Sequence, residues 1–183
     1  MVASSTAVQL GQPAPDFALP DPSGKVISLA DIAGENGTLV MFICNHCPYV
    51  KSIADKLAIT GRALADLGVG SVAICANDAV AYPADAPDRM AEFAAQHGFS
   101  FPYLVDEAQT VARAYGAECT PDFFGYDASL VLRYAGRLDE SGTRNLPDAR
   151  PELLEAMTMV AKTGKGPDHQ VPSMGCSIKW KTA

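Results

Sequence analysis

The sequence predicts one α/β domain with a central mixed β-sheet flanked by helices and with an extended C-terminal tail. Three observations predict this class: a strand–helix–strand pattern over residues 38–76, a β-hairpin pattern over 123–135 and an amphipathic helical pattern over 151–162. Strands joined through a helix run parallel and hairpin strands run antiparallel, so the sheet should contain both. A length of 183 residues without repeats or a linker fits a single domain over 1–183.

The N-terminal residues 1–37 are predicted to form an arm that prolines interrupt, with a turn at 21–25 and a short strand at 26–29. The apolar runs at 38–43 and 71–76 each have the length of a buried strand. The helix between them follows Pro48, because apolar residues then recur near a 3.6-residue period, and Gly68 suits its end. A kink or break is expected at Gly61. The remaining predictions are a loop at 77–87, a helix at 88–97, a strand at 101–105, a helix at 110–115, hairpin strands at 123–126 and 130–135, a final helix at 151–162 and an irregular tail at 164–183.

Charge and terminal composition narrow the partners and the compartment. The formal net charge of -7 disfavours nucleic acid and anionic membranes, since both attract a basic face. Residues 1–8 contain neither a basic region nor a long apolar run. Nowhere does an apolar stretch approach the roughly 18 residues that span a bilayer. The sequence therefore favours a cytoplasmic protein, with a previously cleaved export signal as the alternative.

The number and spacing of the cysteines indicate what chemistry the protein performs. Five are present, at positions 44, 47, 75, 119 and 176, and an odd number in a reducing compartment argues against a structural disulfide framework. Only Cys44 and Cys47 have motif spacing, and a Cys-x-x-Cys segment beside a strand–helix pattern favours redox chemistry over metal binding. Cys75, in an apolar run, is predicted to belong to the core.

The position of Cys44 and Cys47 explains how they can react. They lie where a predicted strand ends and a helix begins, and free amides at a helix N-terminus lower a thiol pKa from about 8.5 to roughly 3.5–7.5. Proline is favoured at the first helical position, so Pro48 places Cys47 at the N-cap. We therefore expect Cys47 to attack and Cys44 to resolve the product. His46 is a candidate for adding positive charge or relaying a proton.

Two other interpretations of the pair remain. Both cysteines can act as small buried hydrophobic side chains, as cysteine often does. A metal site built from Cys44, His46 and Cys47 is the second alternative, although zinc usually takes four ligands and no second pair is apparent in the sequence.

Four segments of the chain resemble the thioredoxin superfamily, and its peroxiredoxin-like (alkyl hydroperoxide reductase and thiol-specific antioxidant) branch in particular. They are Gly-Gln-Pro-Ala-Pro-Asp-Phe at 11–17, the run with Cys-Asn-His-Cys-Pro-Tyr-Val-Lys at 42–51, Cys-Thr-Pro-Asp-Phe-Phe at 119–124, and Pro-Ser-Met-Gly-Cys-Ser-Ile-Lys-Trp at 172–180. The resemblance covers essentially the whole chain. It implies a thioredoxin fold with an N-terminal extension.

The resemblance also implies a cis-proline that faces the redox cysteine, and Thr120-Pro121 matches that position. A Thr-Pro bond considered alone is trans about 95% of the time in folded proteins, so the cis expectation rests on the resemblance. Exposed backbone beside such a proline can pair with an extended segment of a partner.

The sequence lacks the active-site motifs of both peroxiredoxins and thioredoxins. Peroxiredoxins carry Pro-x-x-x-Thr/Ser-x-x-Cys, but Val40 and Cys44 stand at the proline and threonine places. The arginine that orients peroxide would fall near Pro121, and Arg113, Arg133 and Arg137 do not match it. The Trp-Cys-Gly-Pro-Cys of thioredoxins is absent too.

The resulting prediction is an antioxidant-type oxidoreductase of cell redox homeostasis, in which Cys47 and Cys44 exchange with a disulfide-containing protein or a small thiol or peroxide. It requires no metal or organic cofactor, no nucleic acid and no membrane. The alternatives are a thiol peroxidase, with Cys47 peroxidatic and Cys44 or Cys176 resolving, and a non-enzymatic metal-binding or adaptor module. Cys119 is expected near the pair, as a third redox thiol or a structural residue.

Overall fold

The structure is a computed structural model that describes residues 2–5 and 8–182. Within these residues the strands are β1 (Val2–Ser4), β2 (Ala18–Pro20), β3 (Val26–Ser28), β4 (Gly37–Phe42), β5 (Val69–Cys75), β6 (Tyr103–Val105), β7 (Cys119–Thr120), β8 (Asp122–Tyr126), β9 (Leu132–Gly136) and β10 (Met174–Ser177). The helices are α1 (Leu29–Ile32), α2 (Pro48–Ala65), α3 (Pro87–His97), α4 (Thr110–Tyr115) and α5 (Glu152–Thr163), with a 3₁₀ turn at Pro83–Asp85.

The central sheet has five strands in the order β6-β5-β4-β8-β9. Strand β4 pairs parallel with β5, as β5 does with β6, whereas β8 is antiparallel to both β4 and β9. The prediction of a mixed sheet is therefore confirmed. All six residues of β4 are buried, as its continuous apolar run predicts.

Alternate residues of β4 enter two separate cores, because side chains along a strand point to opposite faces. Leu39 and Met41 join a cluster that includes residues of α2, α3 and α5, and this cluster also contains Cys44 and Cys47. Val40 and Phe42 join a second cluster with residues of β3 and α4. The two cysteines thus extend a core that the strand itself begins.

Helix α2 runs without interruption through Gly61, so the predicted break there is wrong. Gly61 does not bend the helix but leaves room for a neighbouring side chain. A Cβ placed on Gly61 would lie 2.5 Å from a ring atom of Phe101, which is itself buried. The helix tolerates the glycine because its apolar face is stabilised by tertiary contacts.

The C-terminal tail is also more ordered than predicted. The sequence predicts irregular structure over 164–183, but residues 174–177 form β10, the middle strand of a second sheet with the order β1-β10-β7. Four residues are too few for a periodic pattern, and the pairing partners come from distant parts of the chain. The predicted arm at 1–37 likewise contributes β1, the antiparallel pair β2–β3 and the short helix α1, which Ser28 and Asp31 cap reciprocally.

Among the described residues, no helix has both the length and the apolar character that crossing a bilayer requires.

Replacing Gly61 with alanine should lower the free energy of unfolding, although alanine is the better helix former. Overpacking against the buried ring of Phe101 costs about 1–3 kcal/mol and outweighs a helix-propensity gain of about 1 kcal/mol or less. Urea denaturation of Gly61→Ala measures the change. In a Phe101→Leu background the same substitution should cost less, and a stabilised Gly61→Ala single variant would contradict the packing argument.

Candidate active site

The pair of cysteines lies where β4 passes into α2. Strand β4 ends at Phe42, and α2 begins at Pro48 with Cys47 as its N-cap. This is the local geometry that the proline predicts, because its ring fixes φ near the helical value at a position where no N–H is needed. Cys44 and Cys47 are both free thiols, and neither exposes any surface.

Thr120, the residue before the proline, contacts both sulfurs. The Thr120–Pro121 peptide bond is cis, as the resemblance implies. The Cys47 thiol donates a hydrogen bond to the Thr120 carbonyl at 3.1 Å, and Cys44 Sγ lies 3.2 Å from Thr120 Oγ1. Residues that are more than 70 positions apart in the sequence therefore share one small buried site.

Neighbouring groups shift the pKa values of the two thiols in opposite directions. A hydrogen bond from Cys44, a second from the Cys176 side chain and the amides of Val50 and Cys176 together lower the pKa of Cys47 to about 5, against the opposing effect of burial. The same hydrogen bond to Cys47, together with burial and the nearby negative charge of Asp85, raises the pKa of Cys44 well above its usual range. At neutral pH these effects favour a thiolate at Cys47 and a protonated thiol at Cys44.

A buried carboxylate holds the loop between the cysteines, and the sequence analysis does not identify it. Asp85 Oδ1 accepts hydrogen bonds from the backbone amides of Asn45 and His46, at 2.8 and 3.2 Å. Asp85 Oδ2 contacts His46 Nδ1 at 2.6 Å and accepts from Asn77 Nδ2 at 2.8 Å. Tyr103 completes the support by donating to the Asn45 side chain at 3.1 Å. In the sequence Asp85 is one of two aspartates in the loop predicted at 77–87, which is ordinary loop composition.

His46 lies between this carboxylate and the solvent. Its ring stacks on Tyr82 with a centroid separation of 5.3 Å, and its side chain is about one quarter exposed. Candidate ligand atoms of Cys44, His46 and Asp85 all lie within 4.8 Å of one another. That set differs from the Cys44, His46 and Cys47 site considered from the sequence. It offers three ligands, and its carboxylate already accepts hydrogen bonds from other side chains and amides, whereas structural zinc takes four.

The other cysteines occupy three distinct environments. Cys75 is buried in β5, and burial raises its pKa to about 12. Cys119 is also fully buried, lies 3.6 Å from Ser5 Oγ, and has a pKa that burial raises to about 12. Cys176 is only partly buried, packs against the core cluster that contains Cys44 and Cys47, and lies opposite Thr120 in the pairing of β10 with β7. The structure thus brings Cys176 to Cys44 and Cys47, while Cys119 has the surroundings of a packed residue.

One expectation about the proline is wrong. The backbone before Pro121 is not open for an extended partner segment, because β10 of the same chain pairs with β7 there, with Cys176 opposite Thr120 and Ser177 opposite Cys119. No periodic pattern marks this strand in the sequence, so its position could not be predicted.

Replacing Asp85 with asparagine should destabilise the fold and loosen the Cys44–Cys47 loop. An amide cannot accept all the hydrogen bonds that the carboxylate accepts, and leaving a buried donor unpaired costs about 1–3 kcal/mol. Chemical denaturation measures the loss. Asp88→Asn is the matched control, since Asp88 is largely exposed and should change stability by less than about 0.5 kcal/mol. Equal stability of the two variants would contradict the anchoring role of Asp85.

The family described as AhpC/TSA matches residues 10–141 of the chain. A solved structure of an uncharacterized conserved protein from Geobacillus kaustophilus is 42% identical, covers 100% of this chain and 98% of its own, and superposes with a TM-score of 0.94. Its match includes the C-terminal tail as well as the central sheet.

Curated relatives carry functional names. Peroxiredoxin Bcp of Escherichia coli is 25% identical over 135 residues, which are 74% of this chain and 81% of that protein. Thiol-disulfide oxidoreductase ResA of Bacillus anthracis is 28% identical over 133 residues, which are 68% of each protein. The sequences similar to this chain thus include one named a peroxiredoxin and one named a thiol-disulfide oxidoreductase.

Proposed function

The chain belongs to the AhpC/TSA family, a peroxiredoxin-like branch of the thioredoxin superfamily whose members act as thiol-dependent oxidoreductases or peroxidases, and we propose that it is a thiol–disulfide oxidoreductase. In this proposal Cys47 is the nucleophile and Cys44 is the resolving thiol. The observation that carries it is the placement of two buried thiols at the start of one helix, both against Thr120, in surroundings that shift their pKa values in opposite directions.

The nucleophile must be a thiolate near neutral pH, and the site favours that form only at Cys47. Cys47 is the N-cap of α2, where the positive end of the helix dipole favours an anion, and the neighbouring thiols of Cys44 and Cys176 lower its pKa further. Burial opposes ionisation, and a pKa of Cys47 lowered to about 5 is the balance. The Thr120 carbonyl accepts a hydrogen bond from the neutral thiol alone.

The resolving thiol must stay protonated until a partner sulfur is bound to Cys47. The raised pKa of Cys44 satisfies this requirement, and its hydrogen bond to Cys47 already places the two sulfurs side by side. When Cys44 attacks Cys47, the partner leaves as a thiol and the Cys44–Cys47 disulfide forms. His46, whose ring nitrogen lies within 4.8 Å of Cys44 Sγ, is positioned to take the proton.

Thr120 and Pro121 position the pair in this mechanism. Thr120 Oγ1 contacts Cys44 and the Thr120 carbonyl contacts Cys47, so one residue sets the location of both sulfurs. The proposed partner is a disulfide-containing protein, an external thiol resets the pair, and the chemistry requires no metal or organic cofactor.

The ionisation of Cys47 is directly measurable. The ultraviolet absorbance of thiolates should show a step with a midpoint near pH 5, with the thiolate present above that pH and lost below it, because the folded-state pKa is depressed. Cys47→Ser should remove the step, and Cys75→Ala, which deletes a thiol of raised pKa, should leave it intact. A midpoint at the ordinary value of about 8.5 would contradict the assignment, as would a step that Cys47→Ser leaves in place.

A thiol peroxidase is the second candidate, and the relatives named peroxiredoxin favour it. In that reaction Cys47 becomes a sulfenic acid before another thiol condenses with it. The arginines argue against it. Arg133 pairs with Asp127 at 2.7 Å. Arg137 lines the cavity beside Pro121, but its guanidinium is held by both carboxylate oxygens of Glu152.

Stopped-flow oxidation by hydrogen peroxide separates the two candidates. For a disulfide oxidoreductase, the second-order rate constant of Cys47 oxidation should stay near that of free cysteine, because Asp127 holds Arg133 and Glu152 holds Arg137 away from a role in orienting peroxide at the sulfur. Reduction of insulin by dithiothreitol should at the same time be accelerated by the protein and abolished in Cys47→Ser. A peroxide rate constant about a thousandfold above that of free cysteine would establish the peroxidase instead.

A further inference from the structure

Exposure distinguishes the three thiols gathered at the site. Cys44 and Cys47 expose no surface, whereas Cys176 is partly exposed while it packs against the core cluster that contains both of them. Thiol–disulfide exchange requires one sulfur to reach another directly. In this conformation a protein disulfide can approach Cys176, but it cannot reach either member of the buried pair.

Strand β10 brings Cys176 to the pair along the backbone that precedes the cis-proline. Cys176 lies directly opposite Thr120 in the antiparallel register. The approach is very close at Gly175, where an added Cβ would lie 2.0 Å from the Thr120 carbonyl oxygen. The strand therefore occupies the edge on which an extended partner segment would otherwise pair.

Hydrogen bonds on both sides of β10 hold it in place. Before the strand, the buried hydroxyl of Ser173 donates to the Gly136 carbonyl at 2.7 Å. After it, the Ile178 amide donates to the Glu118 carbonyl at 3.1 Å, and the Lys179 amide donates to Asn77 Oδ1 at 2.8 Å. Asn77 also binds Asp85, so the tail is tied to the carboxylate that supports the Cys44–Cys47 loop.

We propose that Cys176 is the exchange thiol of this enzyme: β10 occupies the partner-docking edge permanently, and Cys176 passes disulfide bonds between a partner protein and the buried Cys44–Cys47 pair. This inference rests on the proposed disulfide-exchange function. It adds a third catalytic cysteine and identifies the substrate class as protein disulfides that meet the surface at Cys176.

The exchange consists of three thiol–disulfide steps. Cys176 passes its proton to the Cys47 thiolate and attacks one sulfur of the partner disulfide, whose S–S bond breaks. The first partner sulfur leaves as a thiolate and takes this proton from Cys47, which becomes a thiolate again. The Cys47 thiolate attacks Cys176 Sγ, which releases the second partner sulfur as a thiolate. Cys44 then attacks Cys47 Sγ, and its proton passes by way of His46 to Cys176, which leaves as a thiol. Two electrons pass from Cys44 and Cys47 to the partner, and water supplies the last proton.

Insulin, with dithiothreitol as the reductant, is a suitable protein-disulfide probe. Cys176→Ser should lower the rate of insulin reduction about tenfold or more, because the buried pair then has no exposed thiol to exchange with. Serine keeps the size of the side chain and a donor for Cys47, so the Cys47 titration should be nearly unchanged. Cys75→Ala, in the core of β5, is the matched control and should retain wild-type activity.

Trapping identifies the intermediate. In Cys44→Ser the last step is blocked, so oxidation by insulin should accumulate a Cys47–Cys176 disulfide, which mass mapping of peptides detects. A mixed disulfide between insulin and Cys47, with Cys176 remaining a free thiol, would overturn the relay.

The variants also separate failure of the relay from failure of the proposed function. If Cys176→Ser keeps wild-type activity while Cys47→Ser is inactive, the relay is wrong and the Cys44–Cys47 mechanism stands. If Cys47→Ser keeps wild-type activity, both are wrong.

Discussion

The contact of Thr120 with both sulfurs is the constraint on which the site depends. It joins the loop after β4 to the strand before the cis-proline, at 3.2 Å from Cys44 and with a 3.1 Å hydrogen bond from Cys47. Because the Thr120 backbone also pairs with β10, the same residue sets the distance between the Cys44–Cys47 pair and Cys176. The relative positions of three thiols from distant parts of the chain thus follow from one residue and its two neighbouring strands.

Burial disfavours the charged form of Cys47, and hydrogen bonds to its sulfur offset this cost. A thiolate in an apolar core loses hydration, which by itself would raise its pKa. Donors from Cys44, Cys176 and two backbone amides replace the lost water around Cys47. Asp85 acts in the other direction, since its negative charge contributes to the raised pKa of Cys44. Two identical side chains three positions apart therefore differ in protonation because of the partners that the fold brings to each.

The sequence predicted what depends on local pattern. The apolar run of β4, the helix after Pro48 and the N-cap position of Cys47 all follow from neighbours within a few residues, and the structure has them nearly where predicted. Asp85 and β10 could not be found this way, because each owes its role to a partner far along the chain: Asp85 to the Asn45 and His46 amides, and β10 to β7. The break expected at Gly61 failed for the same reason, since the ring of Phe101 supplies the packing that the glycine permits. Long-range packing decided these positions, and local propensity did not.

The pKa values of Cys44, Cys47 and Cys176 are shifted in part by the same interactions among the three thiols. Both thiols that lower the pKa of Cys47 have their own pKa raised: that of Cys44 lies well above its usual range, and that of Cys176, to which burial contributes most, reaches about 11. A thiol that donates to the Cys47 thiolate is thereby kept protonated while Cys47 is charged. Once Cys47 enters a disulfide its charge is gone, so this contribution to the raised pKa of the neighbouring thiols disappears. In the proposed exchange, the hydrogen bond between Cys44 and Cys47 therefore delays ionisation of Cys44, the thiol that attacks last, until Cys47 has entered a disulfide.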